Sequence, residues 1–351
     1  MIFEYNSFLQ PGIEFELSSR CNARCPQCAR NYHGINHTIN EMPMVDISLD
    51  IIKKIPFERF KNLEYIRLCG TYGDPILNSE LFSIIRYIKS STNVRILIST
   101  NGGIKSISWW ENLARILDKN DVVYFGIDGL KDTNHLYRIG VKFDKVIANI
   151  AAFNNAGGTS VWNFLVFKHN QHQIKACEQL AYDIKCSGFD VKKTSRFVTR
   201  DYQYIEQYPV YNQEGNMLYY LEQPTIHDYI NQGYNDLTIK ATKKKTSVMC
   251  TSRALYISAE GYIFPCGWLS DRMYGKHVKD GDDYIRLHQQ INKLGKDKVS
   301  LEYSSYDDIL FGEWFEYIVS TFHTNPFERC DMQCNQLRDL NAKATEGMLT
   351  L

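Results

Sequence analysis

Three cysteines, Cys21, Cys25 and Cys28, are spaced C-x3-C-x2-C directly after the apolar run Ile13-Glu14-Phe15-Glu16-Leu17. Thiolates are the usual ligands of iron–sulfur clusters, and three of them leave one iron of a [4Fe-4S] cube without a protein ligand. A missing protein ligand marks a metal site built for chemistry. The same triplet could hold zinc if His33 or His37 supplied a fourth ligand, since a closed zinc site needs four. Spacing alone leaves both readings open.

Four more cysteines fall into two pairs, Cys250 with Cys266 and Cys330 with Cys334. Alternating Ala254–Ser258 and Tyr262–Phe264 around Glu260-Gly261 predict a hairpin that brings Cys250 and Cys266 together. Four thiolates suit either a fully ligated cluster or a ribbon-like zinc site. Between the pairs, 306–319 has the period of one amphipathic helix, with its aspartates placed to cap it. Cys69, Cys177 and Cys186 have no partner at ligand spacing and read as small buried apolar residues.

Something must hold these groups in place. The first 200 residues alternate short β-branched or aromatic runs with helix-like stretches of about 15 residues, the pattern of βα units. Six strands are expected, at Ile13–Ser18, Glu64–Cys69, Val94–Ser99, Val122–Ile127, Val161–Phe167 and Val191–Val198. They predict an α/β fold with a parallel sheet, open or rolled. The first four strands end in the cysteine triplet, Thr71-Tyr72-Gly73-Asp74-Pro75, Thr100-Asn101-Gly102-Gly103 and Asp128-Gly129. Each cluster alone reads as turn chemistry. In a parallel sheet all four lie on one rim, where such folds keep their sites.

The triplet and its setting resemble the signature of radical S-adenosylmethionine (SAM) enzymes, whose open iron holds the amino and carboxylate groups of SAM. Tyr72-Gly73-Asp74-Pro75 resembles the family's Gly-Gly-Glu-Pro element, whose backbone meets the SAM amino group; Tyr72 and Asp74 depart from it. Ser99-Thr100-Asn101-Gly102 resembles the ribose-side element, and Gly126-Ile127-Asp128-Gly129 the Ser-x-Asp-Gly strand of members with auxiliary clusters. Arg138 matches an arginine that pairs with the SAM carboxylate in similar enzymes, as a guanidinium fork should; a surface salt bridge is its plainer reading. The residue before the third cysteine is usually aromatic and near adenine, whereas here it is Gln27, so Val166 or Phe167 is expected to supply adenine contact. Cys-x10-Gly-x4-Cys followed by a distant Cys-x3-Cys resembles the short auxiliary domain called Twitch, which carries one extra [4Fe-4S] cluster.

The resemblance implies a partial (β/α)6 TIM-type barrel with a small C-terminal hairpin-plus-helix auxiliary-cluster domain. Its expected division is 1–200 for the barrel, 201–245 for a tyrosine-rich connecting region and 246–345 for the auxiliary domain. The implied cofactors are SAM, a SAM-binding [4Fe-4S] cluster on Cys21, Cys25 and Cys28, and an auxiliary [4Fe-4S] cluster on Cys250, Cys266, Cys330 and Cys334. The implied activity is reductive cleavage of SAM to a 5'-deoxyadenosyl radical and hydrogen abstraction from a small metabolite, the auxiliary cluster taking an electron, with a flavodoxin- or ferredoxin-type donor. A peptide or protein side chain is the competing substrate, although only about a dozen residues precede the first strand, short of a peptide-recognition domain. A non-catalytic iron–sulfur carrier or a zinc-binding module is the reading from another class. No general base can be ranked; Asp128, His169 and the neighbours of Arg196 are candidates.

Composition is compatible with this. The 351 residues are 44% hydrophobic and 13% aromatic, enough for one large domain and a smaller one. Forty basic residues balance forty acidic ones, so no global field draws the chain to nucleic acid or an anionic membrane. The start lacks a signal-peptide pattern and no apolar run approaches a membrane span, which with seven of the ten cysteines at metal-ligand spacings predicts a cytoplasmic protein.

Overall fold

The computed structural model describes residues 10–31, 33–35, 42–197, 204–231, 250, 252–274 and 282–334. His37, Val198, Asp201, Tyr202, Gln203, Lys240 and the lysines at 243–245 lie outside the described residues. The expected strands form, each shifted by a few residues: β1 Gly12–Glu16, β2 Tyr65–Cys69, β3 Arg95–Thr100, β4 Val122–Gly126, β5 Ser160–Val166 and β6 Gly188–Lys193. They pair in parallel in chain order. Parallel strands need crossovers, and the helices Leu81–Ser91, Ile107–Ile116, Phe143–Asn155 and Ile174–Asp183 supply them.

Period-two alternation sorts the strand residues by face. Ile13, Phe15, Ile66, Leu68, Ile96, Ile98, Val123, Phe125, Trp162 and Phe164 are buried in the core. There Trp110 of one helix and Phe153 of another sit 5.2 Å and 6.1 Å from the Phe125 ring. The opposite face carries Glu14, Glu16, Arg67, Cys69, Ser99, Gly126, Asn163 and Leu165, a mixed polar lining that no helix-packing argument requires.

The predicted hairpin forms as β9 Ala254–Ile257 and β10 Ile263–Phe264. Its first strand pairs in parallel with β1, so the sheet runs β10-β9-β1-β2-β3-β4-β5-β6 with β10 and β6 at its edges. The C-terminal segment thus extends the sheet itself. Trp314 fastens a helix beneath the hairpin by donating its indole N–H to the Ile263 carbonyl at 2.8 Å.

The single helix expected over 306–319 is two, Tyr306–Leu310 and Glu313–Thr324, broken at Phe311-Gly312. Gly312 takes extended backbone at the start of the second helix. The aspartates do not cap the first: Ser305 does, accepting the Asp308 amide, while the Asp308 carboxylate receives the Ser305 hydroxyl at 2.7 Å.

The tyrosine-rich region folds into a separate antiparallel hairpin, β7 Gln207–Tyr211 and β8 Met217–Glu222. It rests on the cysteine loop: the Tyr208 hydroxyl donates to the Pro26 carbonyl at 3.2 Å, and His33 stacks on Tyr208 at 4.3 Å. Among the described residues no helix is long and apolar enough to cross a membrane.

Candidate functional site

The loops after β1, β2, β3 and β4 meet on one rim, and polar side chains tie them together. Asn101, just past β3, donates its amide to the Cys21 sulfur at 3.8 Å, to Asn22 at 2.9 Å and to Asp74 at 2.7 Å. Asp74 also accepts the Thr100 hydroxyl at 3.0 Å and the Asn101 backbone amide at 2.9 Å. The third-strand loop is thereby clamped to both the cysteine loop and the second-strand loop. Asp74 points inward to do this. Ser99 lies on β3, half-buried, with its face toward Tyr124 in register.

Arg138 reaches the triplet from the helical turn Asn134–Tyr137. Its Nη1 lies 3.8 Å from the Cys25 sulfur and its Nε donates to the Asp128 carboxylate at 2.6 Å. Asp128 is fully buried and also accepts the Leu165 amide at 2.7 Å. Burial works against the Arg138 charge, but Asp128 and Cys25 outweigh it and hold the guanidinium protonated, its pKa above the ordinary value. The surface-bridge reading of Arg138 is therefore set aside. Gly126 leaves the space its guanidinium fills.

The three cysteines sit close enough to sense one another's charge. Burial raises the Cys21 thiol above its usual range and pushes Cys25 up to about 11, with Arg138 opposing the latter shift. Among the described residues no three His, Cys, Asp or Glu side chains close on one point as a single ion requires. Cluster thiolates each bind a separate iron and stand farther apart. The Cys21 and Cys25 sulfurs, desolvated and facing N–H donors, fit a cluster with the half-buried Cys28 nearby, because such donors are what orients and tunes cluster ligands. His33 is turned away from this role, its Nδ1 meeting the Pro209 carbonyl at 2.8 Å.

Gln27 does structural work in place of an aromatic. Its Nε2 donates to the Arg196 carbonyl at 3.2 Å, its Oε1 accepts the Thr194 hydroxyl at 3.3 Å, and Arg196 returns a bond to its carbonyl at 2.8 Å. The segment after β6 is thus fastened to the cysteine loop. Val166 falls on the helix-packed face of β5 with Trp162 and Phe164 and is fully buried in the core. Its side chain does not share the Gly126 face; Leu165 does. Phe167 is buried too, stacked 5.3 Å from His169. His169 is kept neutral, its pKa lowered to about 4 by burial and by His135 and His172.

The second cysteine set also converges. Cys250 and Cys334 share a hydrogen bond, and Cys266 and Cys330 both feel the charge of Cys334. Cys330 and Cys334 project from one face of the helix Glu328–Cys334, and Cys266 precedes the short helix Gly267–Ser270. Beside them Arg329 lies over the Trp268 ring at 4.4 Å and donates to Asp271 at 2.9 Å.

Sequence reasoning passed over Glu16, Arg30 and Asp271. Arg30 donates to the carbonyls of Ser19 and Tyr72, and Asp271 offers its carbonyl to the Tyr72 hydroxyl at 2.7 Å. Glu16 was legible in principle, since a charge closing an apolar strand needs a reason.

Residues 15–179, a little under half of the chain, match the family model of the Radical SAM superfamily. A relative is the "Tungsten-containing aldehyde ferredoxin oxidoreductase cofactor-modifying protein" of Pyrococcus furiosus, 24% identical over 270 residues, 72% of this chain and 70% of that protein. Among solved structures, Streptococcus suis SuiB bound to S-adenosylmethionine superposes with a TM-score of 0.51 at 15% identity, over 74% of this chain. The chain spans 61% of that SuiB chain. SuiB bound to its precursor peptide SuiA gives 0.52 at 15% identity, over 89% of this chain and 67% of the other. At these identities the superpositions establish a shared fold.

Proposed function

We propose that this chain reductively cleaves SAM and uses the resulting 5'-deoxyadenosyl radical to abstract a hydrogen atom from a small metabolite, an auxiliary cluster accepting an electron. The observation that carries this is the meeting of Asn101 and Arg138 on the sulfurs of Cys21 and Cys25. In this reading Cys21, Cys25 and Cys28 hold a [4Fe-4S] cluster that, when bound, supplies the electron for SAM cleavage. Arg138, already paired with Asp128, offers its remaining fork to the SAM carboxylate. The Tyr72–Gly73 backbone receives the SAM ammonium, and Ser99 and Asn101 take the ribose side. Phe167 and Leu165 replace the missing aromatic near adenine, with Val166 contributing backbone only.

Cys250, Cys266, Cys330 and Cys334 hold the auxiliary [4Fe-4S] cluster of a Twitch-like region, and its four protein ligands suit electron transfer more than substrate ligation. The division remains 1–200, 201–245 and 246–345, with β9 and β10 completing the sheet. Electrons arrive from a flavodoxin- or ferredoxin-type partner. The relative that modifies a metalloenzyme cofactor supports a small-molecule substrate over a peptide one, although SuiB is named with a precursor peptide.

Anaerobic reconstitution, dithionite and SAM test this. The reading predicts 5'-deoxyadenosine that disappears in Cys25→Ala and iron near eight per chain; zinc in place of iron, or an intact cluster without 5'-deoxyadenosine, would contradict it.

A further inference from the structure

The loop after β2 rests on a buried carboxylate. Glu16, the last residue of β1 and 3% exposed, accepts the Tyr72 amide at 2.6 Å and the Gly73 amide at 3.1 Å through the same oxygen. The rest of the loop is already fixed. The Asp74 amide donates to the Arg20 carbonyl at 2.8 Å, and the Tyr72 hydroxyl receives the Tyr274 amide at 3.0 Å. A β-carbon at Gly73 would collide with the Ser18 carbonyl oxygen, so only glycine lets this peptide pack so closely on the segment after β1.

For folding alone a glutamine would serve better. Its carbonyl oxygen could accept both amides, and no charge would be desolvated. Arg30 already donates to the Tyr72 carbonyl at 3.3 Å, but the charges that support it are first those of Cys21 and Cys28, and that of Glu16 only after them. Glu260 adds repulsion. A carboxylate kept here against its burial cost has a use if a cation arrives on the far side of the Tyr72–Gly73 peptide.

We infer that Glu16 is a positioning residue for SAM: it fixes the Tyr72–Gly73 peptide and sets a negative charge beneath the loop that takes the SAM ammonium. This rests on the function proposed above.

The test compares wild type and Glu16→Gln as anaerobically reconstituted full-length chains, with equilibrium binding of SAM, S-adenosylhomocysteine and methylthioadenosine. The first two carry the ammonium and the third does not. Glu16→Gln is expected to weaken both ammonium ligands about tenfold, or about 1.4 kcal/mol, and methylthioadenosine less than twofold. Iron content and the reduced-cluster spectrum without SAM should match wild type. Equal weakening of all three ligands would make Glu16 merely structural, and no weakening would remove its role. Should Glu16→Gln fail to fold, Glu16→Asp keeps the charge and should keep the preference for SAM over methylthioadenosine within about threefold; loss of that preference would overturn the inference. If wild type binds neither ammonium ligand, the functional reading falls with it, whereas wild-type binding with an unchanged variant overturns the inference alone.

Discussion

Single residues here act mainly by holding other groups in place, and their costs are measurable. Asp128 pairs with Arg138 and accepts the Leu165 amide while fully buried. Asp128→Ala would strand a guanidinium and an amide, so the metal-free protein should lose about 3–5 kcal/mol in chemical denaturation; a loss below about 1 kcal/mol would contradict the buried pair. Glu16 gives a pH signature. Burial is the largest cause of its shift, and the amides of Tyr72 and Gly73 only partly offset it, leaving a pKa of about 7 against an ordinary 4.5. Between those values the folded state binds more protons than the unfolded one, so stability falls as pH rises. Metal-free wild type should therefore lose stability relative to Glu16→Gln from pH 4.5 to 7. A flat difference would mean that Glu16 is not desolvated.

Elements were more legible than residue roles, for physical reasons. Strands β1 to β6 announced themselves because a sheet covered by helices needs runs of β-branched and aromatic side chains. The face of each side chain was harder, since a buried strand hides its alternation. That is why the sequence points to Val166 or Phe167 for adenine contact, whereas Leu165 shares the Gly126 face and Val166 does not. Val166→Ala should cost about 1–3 kcal/mol in stability and leave SAM affinity unchanged, whereas Leu165→Ala should do the reverse; the opposite pattern in paired denaturation and SAM-binding measurements would restore the first assignment. The break at Gly312 escaped because the 306–319 periodicity continues through it. Gly73 was visible as a turn glycine, but its contact with Ser18 joins loops that are far apart in sequence.

At the scale of the molecule, the two cysteine sets belong to one sheet, because β9 pairs with β1 in parallel. The cysteine triplet and the hairpin were each readable from spacing, but this pairing was not, since long-range strand order leaves little trace in local pattern. Asp271 links the two ends of the structure: its carbonyl receives Tyr72 and its carboxylate receives Arg329 beside Cys330. Cys330→Ala should lower iron from near eight to near four per chain without abolishing 5'-deoxyadenosine formation; loss of both would mean that the sets do not load independently.

The most direct test of an open iron is electron paramagnetic resonance of the reduced Cys330→Ala chain, in which, under the proposed function, only the Cys21, Cys25 and Cys28 set would hold a cluster. Adding SAM should shift that spectrum, and Cys25→Ala should show no such signal. A reduced cluster whose spectrum is unchanged by saturating SAM would contradict the account.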